Sequence, residues 1–304
     1  MKKRYLLLTL LYLTSCNVDH SSLKIICPTG APSLAFYNTL NFETNSTPSN
    51  IVSMMNGNSN YDVVVIDTVS GIKAINNGAN FKLAATITFG NFYIASTGND
   101  EDNIMDKDDT IILFGQNQSP VLLFDKIYGE GFKIEYVTNV QDAAKCLVTG
   151  TNMISKSVVD YVFIAQPALY TVLNNANAPT FGKASIYANI QEEYKKITDK
   201  DLVQASIFVN NNSDPKVIKS FLKDLENDIN SLIDEPSLLS EKIDYNNQEV
   251  TTKFGVQFAA CEKLIKENNS IGLGYKAAIE NKNNIDVFIS LFNMGNTDEE
   301  IYFK

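Results

Sequence analysis

The residues best suited to recognition chemistry sit in short polar loops that each follow an apolar run and open a helix pattern. They are Thr29-Gly30-Ala31-Pro32-Ser33, Asp67-Thr68, the bend from Thr86 to Asn91 with Thr88 and Asn91, Gln116 to Ser119 with Gln118, and Gln166. At the carboxyl end of a strand such loops aim backbone N–H groups and short side chains at a ligand. Phe36 and Phe89 lie close enough in sequence to add aromatic contact, as do Tyr37, Phe92 and Tyr170. A structural role is open for each: Gly30 as a turn glycine, Asp67 and Ser119 as helix caps, and Gln166 as a solvated residue before a proline.

Residues for covalent or acid–base catalysis are sparse. G-x-S-x-G, H-E-x-x-H and P-loop patterns are missing, and the one histidine, His20, precedes the first strand pattern at Leu23. The segment Gly272-Leu273-Gly274-Tyr275-Lys276-Ala277 fits a loose dinucleotide fingerprint, but it follows a helical, Asn-rich stretch where a strand is required, and it reads as a helix-to-helix turn. Cys27, Cys146 and Cys261 lack C-x-x-C or metal-ligand spacing, which leaves buried thiols or one disulfide. No metal, cofactor or catalytic group is expected.

The N-terminus has its own chemistry. Met1-Lys2-Lys3-Arg4, the apolar run Tyr5 to Leu13 and the exit Thr14-Ser15-Cys16 form the basic, apolar and small-residue regions of a secretion signal. The run is far short of the roughly 20 residues that span a bilayer. Leu13-Thr14-Ser15-Cys16 resembles the bacterial lipobox, which implies a diacylglycerol thioether on Cys16. We therefore expect a signal peptide over 1–15, a lipidated tether over 16–22, and a lipid-anchored protein on the extracytoplasmic face of the cell membrane.

Arg4 is the chain's single arginine, so beyond the signal no bidentate guanidinium clamp for a carboxylate or phosphate is available. Loss of Lys2, Lys3 and Arg4 turns 25 Lys+Arg against 35 Asp+Glu into 22 against 35, about −13, which argues against nucleic acid as a partner. With 44% hydrophobic residues, the chain can bury a core.

The elements that must position these loops follow a βα rhythm. Leu23 to Cys27 reads as a strand, Ala31 to Leu40 as a helix with Pro32 in its first turn, Tyr61 to Ile66 as a strand buried on both faces, and Val69 to Asn76 as a helix. Leu83 to Thr88 and Phe92 to Thr97 look like consecutive strands, and the charged stretch Gly98 to Asp109 breaks the pattern. A second series follows: strands Thr110 to Phe114, Lys133 to Val137 and Val159 to Ala165, with helices after Pro120, from Val140 and at Pro167. Val203 to Asn210 is one more strand, and from Asp214 the pattern is almost wholly helical. This predicts an α/β chain of two lobes: lobe 1 over 23–97, lobe 2 over 98–203, and a mostly helical return to lobe 1 over 204–304. Hinge strands are then expected at Phe92 to Thr97 and Gln204 to Asn210.

The lipobox, the first strand running into Pro28-Thr29-Gly30-Ala31-Pro32, the Tyr61-Asp62-Val63-Val64-Val65-Ile66-Asp67 strand and the Asp160-Tyr161-Val162-Phe163-Ile164-Ala165-Gln166-Pro167 strand together resemble the substrate-binding proteins of ABC importers, in the branch serving nitrate, sulfonate and thiamine-precursor uptake. The resemblance implies a periplasmic-binding-protein fold of two lobes, a small polar or aromatic solute held between them, an ABC permease as membrane partner, and a monomer without catalysis. Two rivals remain: an enzyme on the same architecture, like the menaquinone-pathway lyases, and a lipoprotein adhesin or scaffold. If the lipobox reading is right, Cys16→Ala releases the protein from membranes on sedimentation; a variant that sediments as wild type does would place the anchor elsewhere.

Overall fold

The structure, a computed structural model, describes residues 19–304 apart from 117 and 118. Cys16 and Gln118 therefore lie outside the described residues. The strands are β1 (Ile25–Pro28), β2 (Glu43–Asn45), β3 (Val63–Asp67), β4 (Phe81–Thr88), β5 (Phe92–Ser96), β6 (Thr110–Phe114), β7 (Lys133–Val137), β8 (Tyr161–Ala165), β9 (Ser185–Asn189), β10 (Ala205–Asn210) and β11 (Leu273–Ala277). The α-helices are α1 (Pro48–Met54), α2 (Thr68–Asn76), α3 (Ser119–Tyr128), α4 (Val140–Thr149), α5 (Ala168–Leu173), α6 (Ile190–Thr198), α7 (Pro215–Asp234), α8 (Leu238–Lys242), α9 (Gln248–Phe254), α10 (Phe258–Asn268) and α11 (Lys282–Ser290).

The strands form two sheets, one in the order β11-β4-β10-β3-β1-β2 and the other β7-β6-β8-β5-β9. Within the first, β1 pairs in parallel with β2 and β3, whereas β10 is antiparallel to both β3 and β4. Within the second, β6 is parallel to β7 and β8, whereas β5 is antiparallel to β8 and β9. Of the reversed strands, β5, β10 and the edge strand β11, the first two are the ones by which the chain enters a sheet from the other lobe. The chain leaves β4 at its carboxyl end and crosses within Phe89-Gly90-Asn91, so β5 must begin at the edge where the parallel strands of its own sheet end. The same argument applies to β10. Both sheets therefore turn their carboxyl edges, and the loops on them, toward one another.

The central strands β5, β8 and β10 are buried along their full length, as strands covered on both faces must be. On one side of the first sheet, α7, α9 and α10 bury Phe221, Leu225, Phe254, Phe258 and Leu264 with Phe36 and Phe42 from the loop after β1. The core on its other side continues into the second lobe. Phe288 of α11 meets Tyr194 of α6 at 5.9 Å, so the last helix packs across the lobes. Cys27, Cys146 and Cys261 are free and buried, and burial pushes the Cys27 and Cys261 thiols well up from their ordinary value.

Several expectations need correction. Phe92–Ser96 belongs to the second sheet, so the first stretch of lobe 1 ends near Thr88 rather than at 97, and the crossings lie in the connections ahead of β5 and β10 rather than in those strands. The return segment is not wholly helical: Leu273–Ala277 is an antiparallel edge strand on β4, where a helix-to-helix turn was expected. The helix expected over Ala31 to Leu40 is a short 3-10 turn, Ala31–Phe36. His20, expected in a loose tether, donates or accepts a 2.9 Å hydrogen bond with Asp224 and lies edge-on to Phe221, so this end of the tether rests on α7.

Gly71 shows how closely the layers pack. It lies in α2 over β10, and a Cβ there would stand 2.1 Å from Cζ of the fully buried Phe208 ring. Alanine favours a helix over glycine by up to about 1 kcal/mol, whereas overpacking a core costs about 1–3 kcal/mol. Gly71→Ala should therefore lose about 1–2 kcal/mol in urea unfolding; a more stable variant would mean that the helix rides higher on the sheet than described.

Candidate functional site

Between the facing carboxyl edges lies a cavity of about 520 Å³, within the range of small-molecule sites. The first lobe supplies the loop after β1 and the end of β3. Gly30 has φ 110°, a conformation open to glycine, and its N–H donates to the Phe254 carbonyl at 2.8 Å, tying the loop to the end of α9. Ser33 Oγ donates to the Gly30 and Phe254 carbonyls at 2.7 and 3.2 Å. The loop is thus held from behind, and Thr29, Gly30, Ala31 and Pro32 line the cavity. Asp67 ends β3 and caps α2, its Oδ1 accepting the Ser70 N–H at 2.9 Å.

The second lobe supplies Ser119 and Pro120 at the start of α3, Thr138 and Asn139 of the β7–α4 loop with Val140 and Gln141 in the first turn of α4, and Gln166 beside α5. Asn139 caps α4 by accepting the Asp142 N–H at 3.0 Å, and Gln166 Oε1 accepts the Tyr170 N–H at 3.0 Å. The Gln166 amide nitrogen and the Thr29 hydroxyl have no hydrogen-bond partner among the described residues, which leaves both available at the cavity wall. Phe92 and Phe114, in edge contact at 5.9 Å, give the lining an apolar, aromatic part, and Val172 and Val256 also belong to the lining.

Polar contacts join the lobes at the crossings, across the cleft, and where the Tyr93 hydroxyl donates to the Ser270 carbonyl at 3.5 Å. At the crossings, Gln204 Nε2 donates to Asn91 Oδ1 at 2.8 Å, Gln204 Oε1 accepts the Asn91 N–H at 3.2 Å, and Asn91 Nδ2 donates to the Gln166 carbonyl at 3.0 Å. Across the cleft, Ser119 Oγ donates to Asp67 Oδ2 at 2.5 Å. Asp67 is the one ionisable side chain among the described lining residues. It is half-buried, with its remaining exposure toward the cavity, and burial holds its carboxyl above the usual range against the opposing bonds from Ser119 and Ser70 and the charge of Lys73. Among the described residues, no group of three or more His, Cys, Asp or Glu side chains gathers as a metal site.

Of the residues expected at the site, Thr29, Gly30, Ala31, Asp67, Asn91, Ser119 and Gln166 line the cavity. The others do not. Ser33 is buried behind its loop. Thr68 is buried against Ser206, its Oγ 2.7 Å from that hydroxyl, and Thr88 Oγ1 accepts the Ala205 N–H at 2.9 Å, so both hold β10 in place. Gln116 faces solvent. Phe36 stacks between Phe42 and Phe221 inside the first lobe, and Phe89 packs over Gly274 at the edge of β11; the phenylalanines that line the cavity are Phe92 and Phe114. The segment from Thr138 to Gln141 was missed although it follows a predicted strand and opens a predicted helix. Thr251 and Gly255-Val256-Gln257 arrive from the helical return, and only tertiary packing puts them there: a Cβ on Gly255 would stand 2.8 Å from Thr29 Cβ.

Sequence comparison matches no protein-family profile and no curated protein. Solved structures do match the fold. An ABC transporter protein from Parabacteroides distasonis superposes with a TM-score of 0.67 at 16% identity, over 90% of this chain and 92% of the other. The alkanesulfonate-binding protein of Xanthomonas axonopodis pv. citri, bound to MOPS, gives 0.62 at 11% identity over 89% and 92%. A Candida albicans protein with the generic periplasmic binding protein structural fold gives 0.55 at 11% identity over 92% of each chain. At these identities the likeness establishes the fold: two α/β lobes of the periplasmic-binding-protein kind.

A buried carboxyl whose folded pKa is raised binds its proton more tightly in the folded state. It therefore lowers stability above that pKa, and the loss is recovered as pH falls through it. Asparagine caps a helix as well as aspartate and still offers Ser119 a partner. Asp67→Asn should melt at or above the wild-type temperature at about pH 7, with the gap closing toward about pH 3. A variant clearly less stable at neutral pH would show that the charge stabilises the fold.

Proposed function

We propose that the chain is an extracytoplasmic solute-binding lipoprotein, anchored through Cys16, that holds a small polar or aromatic metabolite between its lobes and delivers it to an ABC permease in the membrane. The observation that carries this reading is the cavity itself: the carboxyl-edge loops of two separate sheets line one space, and the chain passes between the lobes only through short connections beside it. Lobes joined in this way can close on a ligand as a hinge. The structural relatives described as ABC-transporter and alkanesulfonate-binding proteins support the same reading.

The lining suits retention rather than turnover. It offers hydroxyls, amides and helix N-termini with an apolar, aromatic part, with one titratable side chain and no second beside it to relay a proton. A receptor of this design binds with hydrogen bonds and aromatic contact. Native mass spectrometry of the gently purified protein should reveal a bound solute of roughly a few hundred daltons, matched to the cavity. The same solute, resupplied at a hundredfold excess over its Kd, should add about 2.7 kcal/mol of stability. Thr29→Ala or Gln166→Ala should weaken its binding by about 0.5–1.5 kcal/mol. A protein that carries no solute and is stabilised by none of a broad metabolite panel would contradict the receptor reading.

A further inference from the structure

We propose that the solute taken by this cleft presents a positively charged nitrogen group, an ammonium or amidinium, to the Asp67 carboxylate, with its apolar body against Phe92 and Phe114, and that sulfonates and phosphonates are excluded. This inference rests on the receptor reading above and narrows it to a class of ligand.

The first argument is charge balance. Among the described residues the lining contains no lysine, arginine or histidine, so an anion would enter a partly desolvated space whose one full charge is of its own sign. Helix N-termini are the only positive counterweight, about half a charge each, and that of α2 is already occupied by Asp67 itself.

The second argument is the carboxylate's unused capacity. An ionised carboxylate has about four acceptor positions. The Ser70 N–H takes one on Oδ1, the Ser119 hydroxyl one on Oδ2, and the Ser70 side chain also bonds the carboxyl, which leaves one position on a group that lines the cavity. Lys73, on α2, is the charge that acts on Asp67, and it is solvent-exposed and contributes nothing to the lining.

The third argument is cost. Capping α2 and bonding Ser119 need only an uncharged acceptor, which asparagine or serine would provide. A partly buried carboxylate without a cationic partner is instead an expense to the fold. A ligand cation removes that expense on binding, and the resulting charge-assisted hydrogen bonds exceed neutral ones in strength. Ser119 reaches the same carboxylate from the opposite lobe, so the cation would sit where the lobes meet.

Benzamidinium, benzamide and benzoate share one flat shape and differ in charge, which makes them suitable probes. They would be titrated calorimetrically, or by ligand-observed NMR, into the purified chain after retained solute has been dialysed away. The expected order is benzamidinium, benzamide, benzoate, with about tenfold or more between the ends, equivalent to about 1.4 kcal/mol. In Asp67→Asn the advantage of benzamidinium over benzamide should vanish. Asp67→Ser, which also caps with a neutral oxygen, serves as the second variant should the first fail to fold. Benzoate binding as tightly as benzamidinium would overturn the inference and leave the receptor reading standing, as would a benzamidinium advantage that survives both substitutions. No binding of any probe at millimolar concentration would also overturn it, while the receptor reading would still be decided by the solute found in native mass spectrometry.

Discussion

The architecture depends on one constraint: the chain changes lobes at the carboxyl edge of a sheet, so the strand it enters must run backward relative to its parallel neighbours. β5 and β10 obey this, and they are the strands through which each lobe receives the chain from the other. Because both reversals occur at the same level, the loops after β1, β3, β6, β7 and β8 converge on one space. The reciprocal amide bonds of Asn91 and Gln204 hold the two crossings side by side, and the Asn91 bond to the Gln166 carbonyl ties them to the second-lobe wall. The crossings are therefore polar and narrow, while the packing of Phe288 on Tyr194 adds an apolar contact between the lobes.

Asp67 joins three levels of the structure. It ends a fully buried strand, caps the helix that follows, and accepts a hydrogen bond from the other lobe. The first two roles are local and have neutral substitutes. The third couples the ionisation of a cleft residue to the approach of Ser119, so whatever occupies the cavity bears directly on closure. Burial of the carboxylate raises its pKa, so its ionisation stands against stability in the fold that buries it.

The sequence made the buried strands and the edge strand β7 legible and left the other three edge strands obscure. β3, β6 and β8 are apolar along their length and bounded by turns, so their pattern identifies them. β2, β9 and β11 all lie at sheet edges and were not foreseen: Glu43-Thr44-Asn45 is polar, Ser185–Asn189 is partly exposed, and Leu273–Ala277 follows Gly272 and contains Gly274. An edge strand is held by backbone ladder bonds on one side and need not carry the apolar run that marks a central one. Membership of a sheet was equally hidden, since nothing local to Phe92–Ser96 states that it pairs with Tyr161–Ala165 rather than with the strand before it. At the site, the rule that ligands meet the carboxyl ends of strands led to Thr29, Asp67, Asn91, Ser119 and Gln166. It gave no means of telling Phe36, which the core absorbs, from Phe92, which the cavity exposes.

The account's central claim is that the two lobes close on a solute about the Asn91–Gln204 crossings. Small-angle scattering of the protein, first stripped of its solute and then resupplied with the solute recovered from it, tests this most directly. The account predicts a smaller radius of gyration with solute than without, saturating with occupancy. An unchanged radius at full occupancy would contradict it.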